Sequence, residues 1–88
     1  MIQVDKKDEN TFQVTVDEGG SQSKHTVTLE DKYHRKLTGG ILPKEELIRK
    51  SFEFLLEREP KESILSTFDL PVISQYFPDY EGYVNMQH

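Results

Sequence analysis

PKEELIRKSFEFLLERE, residues 43–59, decides how the rest of the chain must be arranged. Pro43 suits a first helical turn, where its missing N–H costs nothing. Glu45 and Glu46 sit near the positive end of the helix dipole. Pro60 disfavours helical geometry at Glu59, so the helix is expected to stop there. At about 100° per residue, Phe54, Leu47, Ser51, Leu55, Ile48, Phe52 and Leu56 form one continuous arc. Glu46, Arg49, Lys50, Glu53 and Glu57 fill the other side. Glu45 with Arg49 and Glu46 with Lys50 are i,i+4 pairs, worth roughly 0.2–0.5 kcal/mol each. The arc covers about half the circumference, wider than the ~100° stripe that one contact surface needs. This helix is therefore expected to touch two surfaces, a sheet and other helices, with a second protein molecule as another candidate for one of them.

Upstream, residues 2–5 and 11–16 alternate, with Ile2, Val4, Phe12, Val14 and Val16 facing one way and Gln3, Asp5, Thr11, Gln13 and Thr15 the other. Lys6–Asn10 reads as the hairpin loop between them. Gly19-Gly20 supplies the positive φ angles of a second tight turn. His25, Val27 and Leu29 then alternate with Lys24, Thr26 and Thr28. Three antiparallel strands with one apolar and one Thr-rich face fit a sheet covered on one side only. The Thr-rich face reads as a solvated surface or a platform for something flat. Glu30–Leu37 reads as a short helix, with Thr28 and Asp31 spaced like a capping box. Gly39-Gly40 closes it in a left-handed cap, and Ile41-Leu42 is placed to staple the main helix.

Downstream, prolines punctuate short helices. Lys61–Phe68 places Ile64, Leu65 and Phe68 on one face, and Pro71–Phe77 carries Val72, Ile73, Tyr76 and Phe77. Asp69 is the expected N-cap between them, and Pro78 stops the second. Asp79–Val84 is acidic and aromatic, and residues 85–88 are expected to fray. The expected fold is α+β. A three-stranded antiparallel β-meander is followed by a short helix, the main amphipathic helix 43–59 and proline-punctuated C-terminal helices on one sheet face. Residues 1–84 form one small domain, with 85–88 as a tail.

The segment Phe52–Glu81, FEFLLEREPKESILSTFDLPVISQYFPDYE, resembles a group of small uncharacterised prokaryotic proteins. FLLEREP, ESIL, FDL and YFPDYE carry the resemblance, and the preceding meander is similar too. The shared residues are mostly apolar or turn-forming, so the resemblance implies a common fold and transfers no activity.

Sixteen acidic residues against 11 basic ones give a net charge of −5, with no basic block. That balance points away from nucleic acid, whose sequence-independent binding needs Lys and Arg on phosphates. The absence of cysteine excludes disulfides, thiolate metal sites and a Cys nucleophile. No apolar run approaches the ~20 residues of a membrane span, and the N-terminus has no signal-peptide core. The expected location is cytoplasmic.

Catalytic constellations fail one by one. No serine lies in a G-x-S-x-G elbow, and Gly39-Gly40 lacks the Lys and Ser/Thr of a phosphate loop. His25 falls by parity on the inward face of its strand, where a core or edge histidine is the simpler reading than a general base. Asp31 and His34 offer a metal two ligands without a third. No catalytic, cofactor or metal site is expected. What remains is a non-enzymatic interaction module, self-associating or bound to another protein. Phe52, Phe54, Tyr80 and Tyr83 are its candidate contacts, because Tyr is enriched at binding hot spots and its hydroxyl tolerates partial exposure. The alternative is an antitoxin-like, nucleic-acid-associated regulator using Lys32, Arg35 and Lys36 of the short helix.

Overall fold

The computed structural model describes residues 1–86. The first three strands are β1 (Ile2–Lys6), β2 (Thr11–Glu18) and β3 (Ser21–Thr28). Helices α1 (Asp31–Thr38) and α2 (Lys44–Arg58) follow, then a 3₁₀ turn (Lys61–Ser63), a short strand β4 (Thr67–Asp69), and helices α3 (Val72–Tyr76) and α4 (Tyr80–Met86). The architecture is α+β, as expected. The sheet differs: it has four strands in the order β1-β2-β3-β4, antiparallel except for β4, which runs parallel to β3.

The two hairpins follow from local chemistry. Gly19 and Gly20 both have positive φ, 60° and 80°, which lets two residues connect strands paired Glu18 to Ser21. In the first loop the Asp8 carboxylate accepts the N–H groups of Asn10 and Thr11 at 3.0 and 2.9 Å. Those bonds, the Asn10 N–H first, hold its carboxyl below the usual range. Phe12, Val14, Val16 and Val27 point inward and are fully buried.

Helix α2 lies on the apolar sheet face one residue shorter at each end than the sequence suggests. Pro43, at ψ 151°, is its N-cap, and Glu59 is already extended at φ −152° and ψ 155°, as the following proline requires. Its wide arc serves two surfaces of the same chain. On the sheet side the Phe52 ring lies 5.3 Å from His25 and 6.0 Å from Phe68. On the helix side Phe54 meets Phe77, Tyr80 and Tyr83 at 5.9, 5.3 and 4.9 Å. The surface pairing also shifts: Arg49 bonds Glu46 at i,i+3, 3.7 Å away, and not Glu45.

Several local expectations are overturned by tertiary contacts. Lys61–Phe68 is not a helix; only Lys61–Ser63 turns, and Thr67–Asp69 is a strand. The edge of β3 supplies backbone partners that a lone short helix would lack, and Thr67 and Phe68 suit a pleated, half-buried strand. Asp69 therefore caps no helix and instead accepts the hydroxyl of Thr28, while Pro71 precedes α3. That same bond removes Thr28 from any capping box, and Glu30 stands at the N-cap of α1 without a side-chain bond. Gly39 does close α1, at φ 66°. Leu42 packs against the core, whereas Ile41 is 81% exposed and staples nothing. The chain from Tyr80 continues as helix through Asn85 and Met86, because Tyr80 and Val84, one turn apart, are both buried. Of the expected tail, residues 87–88 lie outside the described residues.

Candidate functional site

The sequence-derived contact residues prove to be interior. Phe52, Phe54 and Tyr80 are fully buried. The Ser51 hydroxyl donates to the Leu47 carbonyl at 2.7 Å, so the Tyr80 hydroxyl, 2.6 Å from Ser51 Oγ, is the donor in that second bond. Burial pushes the Tyr80 hydroxyl pKa far above its ordinary value. Tyr83 is half-buried against Phe54. As a correction to the expectation, three of the four residues have no surface to offer a partner within the folded chain. The structure brings all but Phe52 together, as one aromatic cluster under Arg58, whose guanidinium sits 3.6 Å from the Phe54 ring centre.

The basic group on α1 is at the surface. Lys32, Arg35 and Lys36 are exposed. Lys36 faces Glu81 at 3.9 Å, and the Tyr33 hydroxyl donates to the same carboxylate at 2.8 Å, so α4 brings an acidic side chain to this patch. His34 is tied to the Leu42 carbonyl and His25 to the Leu65 carbonyl and Ser23. Asp31 is engaged by Lys44 at 2.6 Å, whose ammonium also donates to the Glu9 carbonyl and Asn10. Lys44 holds the Asp31 carboxyl below its usual range. Among the described residues no three His, Cys, Asp or Glu side chains gather as a metal site. No helix among them is long and apolar enough to cross a membrane.

The site that sequence reasoning missed is a groove of about 330 Å³ between the C-terminal end of α2, the chain entering β4, and α3. Leu55, Ile64, Leu65, Phe68, Val72 and Tyr76 give it an apolar lining. Its volume lies at the small end of ligand pockets, about 300–1,000 Å³. That is room for a pair of side chains. Leu65 and Tyr76 are 48% and 68% exposed. Both belong to segments expected to be amphipathic helices with these residues on the covered face. Leu65 lies in the extended chain leading into the strand at Thr67–Asp69, and Tyr76 is the last residue of α3. The available signal was the alternation of Phe68, Asp69 and Leu70, a strand pattern too short to stand out beside the helical one.

The rim is acidic. Lys61 is 8% exposed and held by Glu62 at 2.9 Å, while Arg58 is held by Glu57 and Asp79. Glu59 lines the groove and enters no ion pair among the described residues. Comparison with protein-family models, with curated proteins and with solved structures found no match.

Proposed function

We propose that this chain is a small non-enzymatic protein-interaction module whose contact surface is the groove between α2, β4 and α3. The observation that carries this reading is the pair Leu65 and Tyr76, large apolar side chains left exposed on the wall of an apolar groove. Completing their burial against a partner would be worth roughly 1 kcal/mol per side chain, since full burial from full exposure is worth about 1.5–3 kcal/mol and each is already partly covered. Phe52, Phe54 and Tyr80 then act from beneath, by holding α2 and α4 in place. The resemblance of Phe52–Glu81 to small prokaryotic proteins belongs to the same proposal, since it spans the residues that build the groove.

Two measurements test it. Light scattering over a dilution series reads whether the partner is a second copy. A photo-crosslinking amino acid at Tyr76, used in the native host, reads a foreign partner. The expected result is a defined adduct that disappears with Leu65→Glu in the same chain. A monomer at every concentration together with no Leu65-dependent adduct would overturn the reading.

A nucleic-acid-associated role for Lys32, Arg35 and Lys36 is the second reading, supported by their exposure on one helix. It predicts binding in a filter titration at low ionic strength, where phosphate contacts are strongest.

A further inference from the structure

Strand β4 uses only half of its backbone. The Thr26 N–H donates to the Ser66 carbonyl at 2.7 Å, and the Leu70 N–H donates to the Thr28 carbonyl at 2.9 Å. In a parallel ladder alternate residues of a strand bond to one neighbour. The even-numbered residues of this segment therefore face β3 through their backbone. The N–H and C=O groups of Thr67 and Asp69 point the other way, off the end of the sheet. Both residues are exposed, and among the described residues nothing bonds to those backbone groups. At the opposite edge the Arg49 guanidinium donates to the Ile2 carbonyl at 3.2 Å, so that edge is partly occupied.

The open edge and the groove belong to one surface. Phe68 points its side chain inward from β4 and lines the groove. A strand laid beside β4 would send its own alternate side chains into that same layer, toward Leu65, Val72 and Tyr76. A docked helix would leave the outward groups of Thr67 and Asp69 bonded only to water. Glu59 adds a preference for a basic segment, because it lines the groove and pairs with no cation among the described residues, while Lys61 and Arg58 are engaged by Glu62, Glu57 and Asp79.

We infer that β4 is the docking edge for an extended, basic segment of a partner protein, which adds a fifth strand to the sheet and drops apolar side chains into the groove. This inference rests on the interaction reading above and names the form of the partner. Affinity would come from the main-chain bonds to β4 and specificity from the side chains that enter the groove, the division found in strand-addition complexes.

The probe is a panel of nine-residue peptides alternating Val, Ile or Phe with Lys and Thr, titrated into isotopically labelled protein. Each peptide is also made N-methylated at its even positions and at its odd positions. The expected result is slowed hydrogen exchange at the Thr67 and Asp69 amides, and loss of roughly tenfold in affinity for one N-methylated form only. Thr67→Pro should weaken binding similarly while leaving the Thr26 amide as protected as before, since the N–H it removes faces outward. Binding that shifts Leu65 and Tyr76 but ignores both N-methylation patterns would overturn strand addition and leave the interaction reading standing. No binding by any peptide at about millimolar concentration would overturn strand addition, and the interaction reading would then stand or fall on the light-scattering and crosslinking results.

Discussion

The hydroxyl of Tyr80 donates to Ser51 Oγ at 2.6 Å in the fully buried interface between α4 and α2. Ser51 donates its own O–H to the Leu47 carbonyl, so both polar groups are satisfied without water. Removing either partner has unequal consequences. Tyr80→Phe leaves Ser51 bonded to its helix and is expected to cost about 0.5–1.5 kcal/mol. Ser51→Ala strands a buried hydroxyl and is expected to cost about 1–3 kcal/mol. Urea denaturation of both variants and of the double variant reads the coupling.

Alkaline stability follows from the same pair. The folded-state pKa of Tyr80 is raised above its ordinary value of 10.0, first by burial. Below pH 10 the hydroxyl is protonated in both states, and its contribution is fully present. Above pH 10 the unfolded chain ionises first and binds fewer protons, so stability falls as pH rises. The limiting slope from one such group is about 1.4 kcal/mol per pH unit. Tyr33, half-buried and bonded to Glu81, shifts in the same direction and adds a smaller, solvent-screened part. Denaturation midpoints between pH 9 and 12 should fall less steeply in Tyr80→Phe than in the parent.

Lys44 ties the N-termini of α1 and α2 to the first hairpin through Asp31, Glu9 and Asn10. An NMR titration is expected to find the Asp31 carboxyl below the ordinary aspartate value, and to find it moved upward in Lys44→Met. An unchanged Asp31 titration would show that this contact does not persist in solution.

His25 joins β3 to the approach of β4, with Nδ1 2.8 Å from the Leu65 carbonyl and Nε2 2.8 Å from Ser23 Oγ. His25→Leu keeps most of the volume beside Phe52 and removes both bonds. The expected loss is about 1–3 kcal/mol. Amide exchange should accelerate at Thr26 and Leu70, which bond across the β3–β4 seam, before it does at the β1–β2 pairing.

Phe54 and Leu65 should separate stability from binding. Phe54 is enclosed by three rings and Arg58, and Phe54→Ala is expected to cost about 3–5 kcal/mol. Leu65 is 48% exposed, so Leu65→Ser should stay within about 0.5 kcal/mol of the parent. The crosslinking assay with Leu65→Ser should nevertheless lose the partner adduct.

Much of this architecture is readable before any coordinates. The alternation in residues 2–28 and the wide arc of residues 43–59 are local patterns, repeated often enough to specify a meander and a two-sided helix. Gly39 and the proline at 60 mark helix ends through backbone sterics alone. β4 is different. It holds three residues, too few to show a period, and it exists because Phe68 pairs with Val27 and Asp69 with Thr28, a partner 41 residues away. Parallel pairing is a property of the assembled sheet, since each strand edge offers bonds that only another distant segment can fill. The fate of the aromatic residues was decided at the same level. Residue type identifies Tyr80 as amphipathic, but only the seat of α4 on α2 buries it, and only the pairing of β4 with β3 leaves Leu65 in extended chain beside the groove.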